Sequence, residues 1–241
     1  MNVTLISSNY DAIDLINRMY CAARTCYSLD NITQIRVDAE SISFDEKLAF
    51  VKKVLSSGHH SIAEHITFTY GINGVSRSLL AQITRHRLCT FSVQSQRYCC
   101  FAGKQFDYVI PPEIAKNEEL TKGYVEFMKH AKRTYDYLID AGIKAEDARF
   151  VLPNAATTNI TVSTNLRNLM HIMGLRLCNR AQWEIRKVFE EMKAVTVARY
   201  AWMDDLLQPQ CVHLGYCPEK SSCKRFPSKQ EFLKQTEKEN K

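Results

Sequence analysis

Hydrophobic and polar positions change period several times along the chain, and each change marks an element. In residues 44–57, Leu48, Val51 and Leu55 recur at helical spacing with lysines between them. This predicts an amphipathic helix, stopped by Ser56-Ser57-Gly58. Residues 62–72 switch to alternation, with Ile66, Phe68 and Tyr70 separated by Thr67 and Thr69. That pattern predicts a half-buried strand, broken by Asn73-Gly74. Residues 2–7 and 157–163 also read as strands, the second from its β-branched run. Helices are expected over 10–24, 75–87, 113–141, 145–152, 165–177 and 181–206. Residues 28–43 read as a loop whose middle is compatible with helix, 91–106 as irregular, and everything from 208 onward as loop and tail. Helices dominate, and the strands are separated by unequal connections, unlike the regular alternation of a doubly wound fold. The expectation is a single α+β domain over 1–208, followed by a cysteine-containing tail over 209–241.

Composition narrows the class without naming a chemistry. The 241 residues carry a formal net charge of +6, a weak pointer to anionic partners. Much of the excess comes from Lys229, Lys234, Lys238 and Lys241, which read as a solvated end. Nine cysteines, an odd number at irregular spacing, argue against a secreted disulfide scaffold. Asp11 and Asp14 interrupt any apolar run near the start, and no apolar run approaches the ~18 residues of a membrane span. The reducing cytoplasm is the expected compartment, with no membrane partner.

Three segments concentrate ligand-type side chains. His59, His60, Glu64 and His65 are grouped, yet HHSIAEH lacks the helical pairing of a metalloprotease motif, so a ligand pocket or buried histidines fit better than zinc. Gln82, Arg85, His86 and Arg87 fall at a helix end, where the macrodipole favours cations. That does not explain the polar run that follows, Ser92, Gln94, Ser95, Gln96, Arg97 and Tyr98. Guanidinium groups, an imidazole, hydroxyls and amides together suit a phosphate ester and a polar heterocycle. In the third segment, Arg149 precedes a proline-terminated turn. Asn165, Arg167 and His171 share one helix, and Arg176 lies about three turns beyond Asn165. Arg149 and Arg176 are equally readable as ion-pair partners of Asp147 or Glu184.

The order of these segments resembles the flavin-dependent thymidylate synthases. That family is marked by Arg-His-Arg, seven residues, then Ser; here these are Arg85-His86-Arg87, LCTFSVQ and Ser95, continued by Gln96-Arg97-Tyr98. AEHITFTY resembles the family's upstream segment, and residues 147–188 its downstream block. The resemblance implies long helices on a small, mainly antiparallel sheet, assembled as a homotetramer with active sites shared between subunits. It implies synthesis of dTMP from dUMP, with methylenetetrahydrofolate as one-carbon donor and NADPH as reductant through FAD. By position, Gln82, Arg85, Ser95, Gln96, Arg97, Arg149 and Arg176 would hold dUMP, with Arg176 facing the uracil as the catalytic cation. Thr67, Arg85, His86, Arg87, Asn165, Arg167 and His171 would contact FAD, with His65 as a further candidate. The chain lacks the GxGxxG loop that would cradle a pyrophosphate, so arginines and histidines would do that work.

Two positions depart from the family. Val93 stands where members often carry Glu or Gln; it offers only backbone, and Gln94 beside it is placed to compensate. His171 replaces an Asn of some members, and both side chains can donate to a flavin. Cys211, Cys217 and Cys223 recur at even steps near His213, without the spacing of a zinc knuckle, and no metal is expected. A competing enzyme class would use Cys89 or Cys178 as nucleophile. A binding module for single-stranded nucleic acid would instead need arginines and aromatics along an exposed groove. No nucleic-acid partner is expected.

Overall fold

The computed structural model describes residues 1–7, 10–104 and 106–239. Lys241, one of the tail lysines, lies outside them. In chain order the elements are β1 (Asn2–Ser7), α1 (Ala12–Thr25), α2 (Ile32–Glu40), α3 (Phe44–Ser56), β2 (Thr67–Ser76), α4 (Arg77–Ile83), β3 (Thr90–Val93), α5 (Pro112–Ala115), α6 (Glu118–Asp140), α7 (Ala145–Ala148), β4 (Thr157–Asn165), α8 (Leu166–Arg176), α9 (Trp183–Arg199), α10 (Gln210–Leu214) and α11 (Lys229–Glu239). Short 3-10 turns cover His60–His65, Arg149–Val151 and Ala201–Met203. The strands form one small antiparallel sheet in the order β1-β2-β4-β3, and the class is α+β as expected. The chain packs as two compact units.

The first unit comprises Met1–Val3, Gly71–Arg87 and Phe91–Val162. Its core joins Ile72, Val75, Leu79 and Ile83 to Ile160 and Val162 of β4. Met128, Ala131 and Tyr135 are buried on one face of α6, at the spacing that aligns side chains along a helix. The second unit comprises Thr4–Tyr70, Leu88–Thr90 and Ser163–Lys241. Here α1 packs on α2 and α3, and α8 packs on α9, α10 and the His60–His65 turn. Its core includes Leu15, Ile16, Phe68, Tyr70, Leu169 and Phe189.

Several expected boundaries move, each for a local reason. The middle of 28–43 is indeed helical, because Asn31 caps α2 by accepting from the Gln34 N–H at 3.0 Å. The expected strand at 62–65 is instead a 3-10 turn, and β2 starts at Thr67. Asn73-Gly74 does not break β2. Gly74 takes φ 69°, which glycine adopts freely, and its N–H is satisfied by Asn159 Oδ1 at 3.1 Å. Ser76 caps α4, accepting from the Leu79 N–H at 3.0 Å, so the helix starts later than expected. It also ends earlier, where both the N–H and Oγ1 of Thr84 donate to the Leu80 carbonyl. Arg85, His86 and Arg87 therefore lie beyond the helix. They follow it in a turn rather than sharing its face. Residues 90–93 are strand rather than irregular because they pair as an edge strand beside β4. The stretch after 208 contains α10 and α11. Gly215 at φ 72° ends α10, and Ser228 with Glu231 forms reciprocal hydrogen bonds at the start of α11.

One buried polar contact ties β2 to α9 within the second unit. Thr196 Oγ1 donates to the Met192 carbonyl at 2.7 Å, so the Tyr70 hydroxyl is left to donate to Thr196 Oγ1, also at 2.7 Å. Burial pushes the Tyr70 phenol well above its ordinary range. Tyr70→Phe leaves a buried acceptor without its donor and is expected to cost about 1–2 kcal/mol. Urea unfolding checks this: an unchanged midpoint and slope would remove the contact from the stability account.

Candidate active site

The first unit gathers a cluster of arginines. Arg77 sits at the first position of α4, where its backbone N–H donates to the Ala156 carbonyl at 3.1 Å. Its Nη2 donates to the Gln94 carbonyl at 2.9 Å, while Nε is buried without a hydrogen-bond partner. Burial, and then the neighbouring Arg149, lower the pKa of Arg77 from its usual value. Two guanidinium groups that repel each other beside an unsatisfied donor make a site that an anion would relieve. Arg149 donates through Nε to the Glu146 carbonyl at 3.0 Å. Arg97 reaches the Glu146 carboxylate through Nε and Nη2, both at 3.3 Å, and covers the Tyr98 ring. That half-exposed ion pair is weak in water and readily exchanged for a phosphate.

The polar run after the signature is fixed from below. The Gln94 N–H donates to the Asn159 carbonyl at 2.9 Å, and its side-chain oxygen accepts from Asn159 Nδ2 at 3.3 Å. Val93 is half-buried in β3, and Gln94 is engaged in holding the strand. Beyond it, Ser95 Oγ accepts from the Arg97 N–H at 3.2 Å, closing a tight turn. Gln82, His86, Ser95 and Gln96 are half-buried, whereas Arg85, Arg87 and Arg97 are exposed. In this unit the structure brings Arg97 and Arg149 together through Glu146 and adds Arg77, which the sequence pattern did not single out. Its only signal in sequence is a cation directly after a capping serine.

The second unit holds an open cavity of about 990 Å³, at the upper end of the roughly 300–1,000 Å³ usual for small-molecule sites. Asn165, Arg167 and His171, all expected site residues, line it from the first turns of α8. The start of α8 is pinned twice. The Leu166 N–H donates to the Ile66 carbonyl at 2.8 Å, and Asn165 Oδ1 caps the helix by accepting from the Asn168 N–H at 2.8 Å. Arg167 pairs with Glu64 at 3.4 Å. His60 and Glu64 line the same cavity, so half of the histidine-rich segment belongs to a pocket. His65 and Thr67 are exposed at the junction of that turn with β2, and Arg176 is half-buried in the last turn of α8. Lys52 and Asp205, paired at 3.7 Å, also border the cavity. Gln210 and His213 enter from α10; reading that stretch as tail hid them, although Pro209 and Gly215 bracket a short helix.

Cationic, imidazole and amide donors beside Leu55, Met170 and Leu214 suit a flat aromatic cofactor carrying phosphates. Of the two candidate nucleophiles, Cys89 is poorly placed to ionise. Burial raises the Cys89 thiol above its usual value, only partly offset by hydrogen bonds from Thr164 and Asn168. Cys178 lies just past α8, bordering a different, smaller cavity.

Among the described residues of this α+β protein, an arginine cluster and a large cavity lined by donors suit phosphorylated ligands. Comparison with known proteins makes this specific. The family model described as thymidylate synthase complementing protein matches residues 6–200. Proteins called flavin-dependent thymidylate synthase are similar over most of their length. That of Geobacter sulfurreducens is 44% identical over 200 residues, covering 82% of this chain and 84% of the relative. That of Nitratidesulfovibrio vulgaris is 40% identical over 227 residues, covering 89% and 92%. That of Pyrococcus abyssi is 42% identical over 187 residues, covering 75% and 77%. The chain belongs to the flavin-dependent thymidylate synthase family. The matched segment contains the arginine cluster and the α8 wall of the cavity.

Removing Arg149 takes away one charge-assisted partner of a phosphate and also relieves Arg77. Arg149→Gln is expected to weaken binding of a nucleoside monophosphate by about ten- to a hundredfold, from a charged hydrogen bond of about 1.5–3 kcal/mol. Calorimetric titration measures it, with circular dichroism confirming the fold; unchanged affinity would place the phosphate elsewhere.

Proposed function

We infer that this chain makes dTMP from dUMP, with methylenetetrahydrofolate as one-carbon donor and NADPH as reductant through FAD. The observation that carries this reading is the arginine cluster within the segment matching the family: Arg149 neighbours Arg77 and shares Glu146 with Arg97. It is a methyl-transferring flavoprotein.

The phosphate of dUMP is assigned to Arg97 and Arg149, displacing Glu146 from Arg97, with Ser95 and Gln96 completing its hydrogen bonds. Gln82 and Arg85 reach the nucleoside. Arg176 faces the uracil, where a permanent cation favours the N3-ionised ring and stabilises negative charge as it develops. Thr67, Asn165, Arg167 and His171 hold FAD with Arg85, His86 and Arg87, and His65 lies close enough in sequence to Thr67 to join them. Bound FAD supplies hydride transfer, taking its electrons from NADPH. The protein's own part is binding, orientation and polarisation, so no side-chain nucleophile is required. The elevated pKa of the Cys89 thiol agrees with that.

We assign the active form as a homotetramer in which Ser95, Gln96 and Arg97 of one subunit serve the site containing Arg176 of another. No nucleic-acid partner is assigned. Among the described residues no helix is long and apolar enough to cross a membrane. The proposed setting is the cytoplasm.

The purified protein should be yellow, with an oxidised-flavin band that bleaches on adding NADPH in the presence of dUMP. A colourless protein that does not take up FAD would sink the reading. Arg176→Ala should abolish dTMP formation while keeping the flavin, and Cys89→Ala should retain it; the reverse result favours a cysteine nucleophile.

Shared sites have their own test. Arg176→Ala and Arg97→Ala proteins, each inactive, should regain about a quarter or more of wild-type activity when their subunits are mixed and exchanged. Light scattering should give four chains per particle. Mixtures that stay inactive although mass spectrometry shows exchanged subunits would place each site within one chain.

A further inference from the structure

Four of the nine cysteines have no place in this chemistry, and they border one small cavity. Cys178 follows the last turn of α8, Cys211 lies in the first turn of α10, and Cys217 and Cys223 stand on the segment leading to α11. The cavity they line is small, about 30 Å³, with room for a guest the size of a water or an ion. None of the four is in a disulfide.

The segment bearing Cys217 and Cys223 is already held against the end of α8. Arg180 Nη1 donates to the Ser221 carbonyl at 2.7 Å and lies 3.8 Å from the Glu219 carboxylate. Asn179 Nδ2 reaches Cys223 Sγ at 3.7 Å, and the Cys217 N–H donates to the Pro227 carbonyl at 2.7 Å. Cys217 is buried, whereas Cys223 is exposed beside Lys224, whose φ of 65° bends the chain sharply there.

We propose that Cys178, Cys211, Cys217 and Cys223 form a site for a thiophilic divalent cation, zinc in the first instance. Four thiols are the full complement of a closed, tetrahedral structural zinc site. A zinc ion with four thiolates carries a net charge of 2−; Arg180 and Arg225 line the same cavity and offset part of it, Arg180 being shared with Glu219. The site is closed by the metal rather than preformed. Among the described residues no group of three or more His, Cys, Asp or Glu side chains is already spaced to hold an ion. Closure needs rotation of the thiols and an inward shift of Cys223, and each ligand gives up its thiol proton as it binds.

The consequence reaches the large cavity through α10. Cys211 faces the thiol cavity, His213 lines the large one, and Gln210 borders both. Metal binding would therefore fix the wall that α10 presents to the cofactor; this second step rests on the assignment of FAD to that cavity.

Zinc chloride titrated into the reduced full-length protein, in competition with a chromogenic chelator, should give one tightly held ion per chain. It should also protect four thiols from a disulfide reagent. Cys223→Ser, a change at an exposed residue, should weaken zinc by at least about a hundredfold, more than losing a supporting hydrogen bond usually costs. Cobalt in place of zinc should show thiolate-to-metal charge-transfer absorption. The proposal is overturned if zinc is not retained against the chelator, or if Cys223→Ser and Cys178→Ser retain it as well as the parent. A disulfide among the four cysteines in protein alkylated on extraction would also overturn it. Zinc removal should lower FAD affinity; equal affinity with and without zinc overturns the coupling through α10 while leaving the metal site standing.

Discussion

Much of the second unit depends on one backbone hydrogen bond, from the Leu166 N–H to the Ile66 carbonyl at 2.8 Å. It joins the point where β4 becomes α8 to the point where the histidine-rich turn becomes β2. A helix start leaves its first N–H groups unsatisfied, and here one of them is used to fix the helix to its neighbour. Asn165 caps another. The two constraints set the position and phase of α8, so Arg167 meets Glu64 and His171 lines the cavity. Three cavity-lining side chains are thus placed by the strand-to-helix junction instead of by a glycine-rich loop.

The first unit solves a similar problem with charge. Burial, and then the nearby Arg149, lower the pKa of Arg77, and Arg97 meets the carboxylate of Glu146, whose carbonyl accepts from Arg149. Keeping like charges together without a full set of counter-charges costs stability, and is expected where an anion completes the set. Gln94 stabilises the arrangement by joining β3 to β4 through main chain and side chain alike, which lets the following residues turn sharply at Ser95.

Sequence pattern alone located most elements because their periods were clean: Leu48, Val51 and Leu55 on α3, and Phe68 and Tyr70 on β2. It failed where a single side chain overrode a local signal. Asn73-Gly74 is a strong turn dipeptide, yet Asn159 satisfies the Gly74 N–H and the strand continues. Thr84 ends α4 before the arginines, so the expected helical face is a turn. The roles of Asn165, Arg167 and His171 could be suggested by family resemblance, and their common cavity required the fold. Arg77 in the arginine cluster, and Gln210 and His213 in the cavity wall, had no legible signal in the sequence. An isolated cation after a serine and two polar residues in a cysteine-rich stretch carry no periodicity, and only packing shows which way they face.

The helix α10 has a bearing on how ligands for this protein are chosen. It begins at Gln210, beyond the 6–200 segment matched by the family model, yet it lines the large cavity alongside α8. A compound that touches only Asn165, Arg167 and His171 meets a surface drawn from the shared segment. One extended by a few atoms to Gln210 and His213 also meets side chains beyond residue 200, where the family model stops. The cavity is therefore completed by a helix that lies beyond the segment defining the family.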